Sequence, residues 1–361
     1  DKLTDSSLTV RYLKRKRCDT CVADTNFILL YHKNLFRPRF LIRNMYLRKG
    51  DLYNQKEFYK SLNSYARAGV WQSTNILINE IKNNNDSLHK IDLIAQLVPG
   101  KQYGYEASIE ASYSASSNTN SITAANAGNL LGLSGNISFL NRNLRKEGIK
   151  MTNSLLVGVE FNFKPDSSNT QSIINSNEVS YSNSISFPRL VFPFGKYGNK
   201  KNFIATESFI NTKLSYINRI NLFNLQSFNF AVGYSATTRK NHQFIFKPLN
   251  FEFARLYNET DSFKKTLNDN PFLRYSFNTA LVAGSSLGYR FNKINSKHSN
   301  RQHSVKANFE ESGLLWGRLG IFKRYMREYI KVDAEYVYSA SRSKSAFVFR
   351  IFGGVGVAFN K

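Results

Sequence analysis

Long segments of strictly alternating apolar and polar residues recur from residue 103 to the end of this chain, and they constrain its fold more than any other feature. In the first, Tyr103, Tyr105, Ala107, Ile109, Ala111 and Tyr113 alternate with Gly104, Glu106, Ser108, Glu110, Ser112 and Ser114. Leu155, Val157, Val159, Phe161 and Phe163 alternate with Ser154, Gly158, Glu160 and Asn162, Leu156 being the exception. Phe228, Phe230, Val232 and Tyr234 repeat the pattern, as do Val332, Ala334, Tyr336 and Tyr338. Near the end Phe347, Phe349, Ile351, Val355, Val357 and Phe359 share one face, opposite Arg350, Gly354 and Gly356. A period of two is the signature of a strand with two unlike faces. Strands of soluble proteins average about 5–6 residues, whereas a tilted strand needs about 9–11 to cross a bilayer. The polar faces carry Glu, Ser, Asn and Gly, which a water-filled lumen tolerates and a packed core does not. A soluble β-sandwich would need shorter strands and an apolar interior on each of them. The expected fold is therefore mainly β, a transmembrane antiparallel barrel.

Composition agrees once the strands are read this way. Hydrophobic residues make up 42% of the 361 residues, yet the mean hydropathy is −0.40. No run of 18 apolar residues exists, so no transmembrane helix is expected. Alternation resolves the conflict, because each barrel strand averages out as polar. Phe (29) and Tyr (20) far outnumber Trp (2), which suits strand faces and interfacial girdles. The net charge of +25 raises the question of nucleic acid. The cations are spread over turns and strand ends rather than gathered in one stripe, so no nucleic-acid partner is expected. Solvated loops or attraction to anionic headgroups and lipopolysaccharide account for the charge instead.

About eleven strands are expected, near 103–115, 129–140, 148–164, 173–187, 202–217, 225–237, 241–257, 278–292, 302–312, 330–340 and 345–359. Asp261 to Asn270 reads as a loop helix ahead of Pro271. An odd strand number does not close readily in a bacterial single-chain barrel, and an open edge in lipid leaves unpaired backbone groups. Further strands are therefore expected after Lys361. The charged start, Asp1-Lys2, is no signal peptide, which implies a mature form or a fragment. The chain divides into a small α+β domain over 1–100 and an incomplete barrel over 101–361.

In the first domain Leu8 to Tyr12 alternates as a short strand, and Arg37 to Arg48 offers a helical turn or two, with Pro38 near its start. A helix capped by Asn54 comes next, with Phe58, Leu62 and Tyr65 on one face and Gly69 at its end. Strands near Trp71–Ile81 and Leu88–Val98 are joined by the Asn83-Asn84-Asn85-Asp86 turn. The order is β-α-α-β-β.

No catalytic, cofactor or metal site is expected. Cys18 and Cys21 form a Cys-x-x-Cys pair that a periplasm would leave as a loop disulfide or two idle thiols. None of the five His residues completes a zinc set with them. Glu106 and Glu110 lie roughly 13 Å apart along a strand, too far for paired carboxylate chemistry. Asp333 and Glu335 read as lumen or solvent residues.

Two local stretches carry a resemblance. Arg48-Lys49-Gly50-Asp51-Leu52-Tyr53, with Leu62-Asn63 and Ala68-Gly69-Val70-Trp71, resembles the last POTRA domain of the BamA/TamA family of outer-membrane assembly proteins. Gly135 to Leu144 resembles that family's second barrel strand and its tight turn. The arrangement is closest to TamA-like members. The family's Arg-Gly-Phe motif does not occur in this chain. The resemblance implies a periplasmic POTRA domain leading into a sixteen-stranded outer-membrane barrel of a Gram-negative bacterium. It implies unfolded outer-membrane proteins as clients, and accessory assembly subunits. It implies a client-binding POTRA edge strand near Gln72–Glu80, with Ser73, Asn75, Leu77 and Asn79 along it. It also implies a weak lateral seam at the first barrel strand, at Gly104, Ala107, Ile109 and Ala111. A passive porin, or a soluble basic binding protein, are the rival readings.

Overall fold

The computed structural model describes residues 19–24, 27–31, 33–81, 90–114, 130–162, 173–191, 203–238, 240–271, 273, 277–294, 300–319 and 325–359. Two compact units result. The first holds residues 1–104 with 141–150, the second 105–140 with 151–361.

The first unit opens with a hairpin of β1 (Asp19–Asp24) and β2 (Phe27–Tyr31), which the sequence pattern does not anticipate. The strand expected at Leu8–Tyr12, Cys18 and the Asn83–Asp86 turn lie outside the described residues; Cys21 falls on β1. Helix α1 (Pro38–Arg43) starts with proline at its first turn, where a missing N–H costs nothing. Its six residues make the turn or two expected within Arg37–Arg48. Asn44 ends it, its Nδ2 donating to the Phe40 carbonyl at 2.8 Å in competition with the helix ladder. Beyond it Met45 and Leu47 are buried outside the helix.

Helix α2 (Gln55–Ala68) has the caps its sequence predicts. The Asn54 side chain accepts from the Lys56 N–H at 2.9 Å, and Gly69 closes the helix in the left-handed region at φ +64°. Its apolar face brings Phe58, Leu62 and Tyr65 onto Met45 and onto Ile76 of β3 (Trp71–Ile81). Ser61 is fully buried yet satisfied, donating to the Glu57 carbonyl and accepting from the Tyr46 N–H. A second cluster gathers Phe40, Ala68 and Val70 around Trp71, whose ring lies 4.3 Å from Phe36. Strand β3 pairs antiparallel with β4 (Lys90–Pro99).

The large sheet contains eleven strands, and each matches an expected segment. They are β5 (Tyr103–Ser114), β6 (Leu130–Leu144), β7 (Ile149–Asn162), β8 (Ile174–Phe187), β9 (Phe203–Arg219), β10 (Phe223–Thr238), β11 (His242–Tyr257), β12 (Ala280–Ile294), β13 (Arg301–Ser312), β14 (Tyr329–Ser341) and β15 (Ala346–Ala358). Every strand neighbours the next in sequence, so the sheet is an antiparallel meander with β5 and β15 at its ends. At 12 to 17 residues, the strands are all longer than a bilayer crossing requires.

Register turns the alternation into two faces. Leu287 stands opposite Phe309, Phe309 opposite Val332, and Val332 opposite Val355. Phe228 and Phe230 likewise face Phe253 and Phe251. The other face collects polar pairs: Ser215 with Ser227, Asn308 with Asp333, Lys306 with Glu335. A slip of one residue would reverse both faces, so burying one of them specifies the register. Pro248 breaks the ladder of β11, and the pairing with β12 shifts between Lys247 and Asn250. Proline has no N–H to give the ladder, and the bulge absorbs it. Its carbonyl accepts from the Trp316 indole N–H at 3.1 Å.

The strand ends between β11 and β14 are capped. Helix α3 (Asp261–Asp269), begun by the Thr260 hydroxyl accepting from the Phe263 N–H, lays Phe263 and Leu267 on Phe223 and Leu256. Met326 and Trp316 cover Leu281 and Ala283 of β12. The chain is thus mainly β, and among the described residues its large sheet is an eleven-stranded antiparallel meander of long two-faced strands, as in a β-barrel.

Candidate functional site

The expected client-binding residues lie along β3. Ser73, Asn75, Leu77 and Asn79 stand opposite Val98, Gln96, Ile94 and Asp92 of β4. One edge of β3 is taken by β4; among the described residues no strand pairs with the other. Ile76 is buried against α2, while Ser73 and Asn75 on the alternate face are exposed. The arrangement leaves a row of backbone N–H and C=O groups able to accept an extended chain.

The expected seam residues lie on β5, the first edge of the large sheet. Ala107, Ile109 and Ala111 share one face, and Ile109 is 87% exposed. Gly104 falls on the other face, where the Arg142 guanidinium fills the space a side chain would take. Arg142 also donates to the Lys101 carbonyl. At the opposite end of the sheet β15 is exposed along its whole length, with Phe347, Val348, Phe349, Ile351, Phe352, Val355 and Val357 uncovered. Ser73, Asn75, Leu77, Asn79 and Gly104 belong to the first unit, and Ala107, Ile109 and Ala111 to the second.

Two clusters go beyond what the sequence pattern shows. On the polar face Glu335 is held by Lys306 at 3.1 Å and by Arg350, so a carboxylate expected to face lumen or solvent is the centre of a three-strand ion pair. Its neighbour Asp333 accepts from Asn308 at 2.7 Å. The signal was present as opposite charges at matching strand positions, but only register shows that they meet.

The second cluster is the turn between β6 and β7. Arg145 and Lys146 both adopt left-handed backbone, at φ +57° and +61°, and the Glu147 N–H returns to the Leu144 carbonyl. Within the four-residue connection 145–148 these two residues take the positive φ of the central pair of a primed turn, positions that favour Asn-Gly. Each non-glycine residue there costs on the order of 1–2 kcal/mol. Surrounding contacts hold the turn. Asn143 is buried; its Nδ2 donates to the Leu35 carbonyl and its Oδ1 accepts from the Gly148 N–H. The Arg37 N–H donates to the Lys146 carbonyl at 2.9 Å, and the Arg37 guanidinium pairs with Glu147 at 2.6 Å. Phe40 lies directly over Gly148, whose φ is +67°. Basic residues in place of Asn-Gly were the available signal. Among the described residues no group of three His, Cys, Asp or Glu could hold a metal ion, and no helix is long and apolar enough to cross a membrane.

No protein-family profile matches the chain, and no curated protein matches it. Among solved structures, BamA from Haemophilus ducreyi lacking POTRA domains 1–3 aligns over 90% of this chain and 82% of its own, at 11% identity and a TM-score of 0.26.

Proposed function

We propose that the chain is an outer-membrane β-barrel protein with a periplasmic POTRA-like domain, and that it assembles or translocates other outer-membrane proteins. The observation that carries this reading is a sheet of eleven two-faced strands, preceded by a small α+β domain; among the described residues no strand pairs with the outer edges of β5, β15 or β3. An incoming unfolded chain can add to β3 through backbone hydrogen bonds, which tolerate many sequences. It can then be templated at β5, where small residues leave the strand weakly packed. The stretches at Arg48–Tyr53 and Ala68–Trp71, which resemble the last POTRA domain of the BamA/TamA family, favour the same role. In this reading the partners are unfolded client barrels, outer-membrane lipid or lipopolysaccharide and accessory subunits; no reaction, cofactor or nucleic acid is involved.

The test is depletion of the protein in its host, combined with a photo-crosslinking residue at Asn75 or Ile109. Assembly predicts lower outer-membrane protein levels and client adducts at both positions. A porin would instead conduct in planar bilayers, leave those levels unchanged and give no adduct.

A further inference from the structure

We propose that the cavity formed by Arg37, Arg145 and Lys146 binds a phosphate group, that of an anionic lipid headgroup at the membrane surface. The inference rests on the barrel reading, because it uses the position of the β6–β7 turn.

The described residues lining this cavity, Asn34, Arg37, Pro38, Arg145 and Lys146, belong to the first unit. It is an open depression of about 530 Å³ rather than an enclosed chamber, which suits a headgroup approaching from the surface. Three of these described lining residues are cations. Glu147 neutralises one charge through Arg37, leaving the site doubly positive. Arg145 and Lys146 are exposed, and Arg37 keeps 57% of its side-chain surface despite its ion pair. A guanidinium presents a planar fork to phosphate oxygens, and an ammonium adds a point charge.

Backbone geometry makes this more than a basic surface patch. The two segments carrying the cations are tied by the Arg37–Lys146 and Asn143–Leu35 hydrogen bonds, so the backbone that bears the charges is held in place before a ligand arrives. The turn would be most relaxed as Asn-Gly. It instead holds two long basic residues in left-handed backbone, where strain persists only if its surroundings over-determine it. Those side chains are what the unfavourable turn supplies.

Placement names the source of the phosphate. Strands β6 and β7, of 15 and 14 residues, are each long enough to cross a bilayer, so the turn joining them emerges at a membrane surface. Phospholipid phosphates lie at that level, and each Lys or Arg near an anionic surface contributes about fivefold in affinity. Losing two should cost about thirtyfold.

The experiment uses the full chain refolded in zwitterionic detergent. It is titrated separately with short-chain phosphatidylglycerol, short-chain phosphatidylcholine and inorganic phosphate. The test variant is Arg145→Asn with Lys146→Gly, which installs the preferred turn and should unfold no earlier than the parent. A second variant, Arg37→Gln, removes a cation without touching the turn. The expected result is tighter binding of phosphatidylglycerol than of phosphatidylcholine by about tenfold or more. The turn variant should lose that preference by about tenfold or more, and Arg37→Gln in part. Binding of inorganic phosphate as tight as that of the lipid, and equally lost in the turn variant, supports a phosphate site filled from solution. Equal binding of the two lipids, or an unchanged preference in the turn variant, overturns the proposal. Flotation with phosphatidylethanolamine–phosphatidylglycerol vesicles after a high-pH wash reports insertion separately. Failure to insert sinks the barrel reading and this one together, whereas insertion without headgroup preference sinks only this one.

Discussion

Replacing Gly148 with alanine should destabilise the N-terminal unit by about 2–5 kcal/mol, and the structure separates that cost into two parts. The backbone there sits at φ +67°, which costs an alanine on the order of 1–2 kcal/mol. The new Cβ would also lie 2.6 Å from two carbons of the Phe40 ring. Phe40 cannot swing away freely, being 7% exposed and packed with Ala68, Val70, Phe36 and Trp71. Overpacking of this kind costs about 1–3 kcal/mol. Gly50 provides the control: its φ is +88°, but no atom lies within 4 Å of the Cβ it would acquire. Gly50→Ala should therefore show the conformational cost alone. The assay is urea unfolding of the full chain in detergent, monitored by fluorescence of Trp71 in a Trp316→Phe background. Trp71 reports directly, since its ring stacks near Phe40. Equal losses for Gly148→Ala and Gly50→Ala would refute the reasoning, because the contact with Phe40 would then contribute nothing.

The Tyr65 phenol is 3% exposed and donates to the Leu41 carbonyl at 2.8 Å; burial pushes its pKa well above the ordinary tyrosine value, with Arg48 partly opposing. Above about pH 10 the unfolded chain releases this proton while the folded chain keeps it, so stability falls as pH rises further, by up to about 1.4 kcal/mol per pH unit. Tyr65→Phe should cost about 1 kcal/mol at neutral pH and flatten that decline in urea midpoints measured from about pH 9 upward; parallel declines would refute it. Gly284→Ala should abolish refolding of the large sheet. Its Cβ would collide with the Glu311 carbonyl oxygen, backbone that cannot move without breaking the β12–β13 ladder. A normal heat-induced mobility shift on unboiled gels would contradict this.

The eleven strands were legible in the sequence because period-two alternation is local, and each segment carries its own two faces. Asn54 and Gly69 were legible for the same reason, since caps are read from one or two residues. Where within Arg37–Arg48 the helical turns end was not, because Asn44 ends α1 through a hydrogen bond that competes with the helix and Met45 leaves it for a tertiary core. Nor could the sequence show that Pro248 sits in a bulge rather than ending a strand. The candidate residues on β3 and β5 were found as strand positions, but their unpaired edges depend on which strands neighbour them.

By itself, the sequence determined element type, strand length and the polarity of each face, which are properties of residues close together in the chain. Tertiary structure alone decided which charges meet and what surrounds the turns. Glu335 finds Lys306 and Arg350 only through the register of three strands. Arg145 and Lys146 meet Arg37 only because Asn143 pins a hairpin to a segment 108 residues earlier. Contacts over such separations arise from hydrogen-bond register and close packing, which no local pattern encodes.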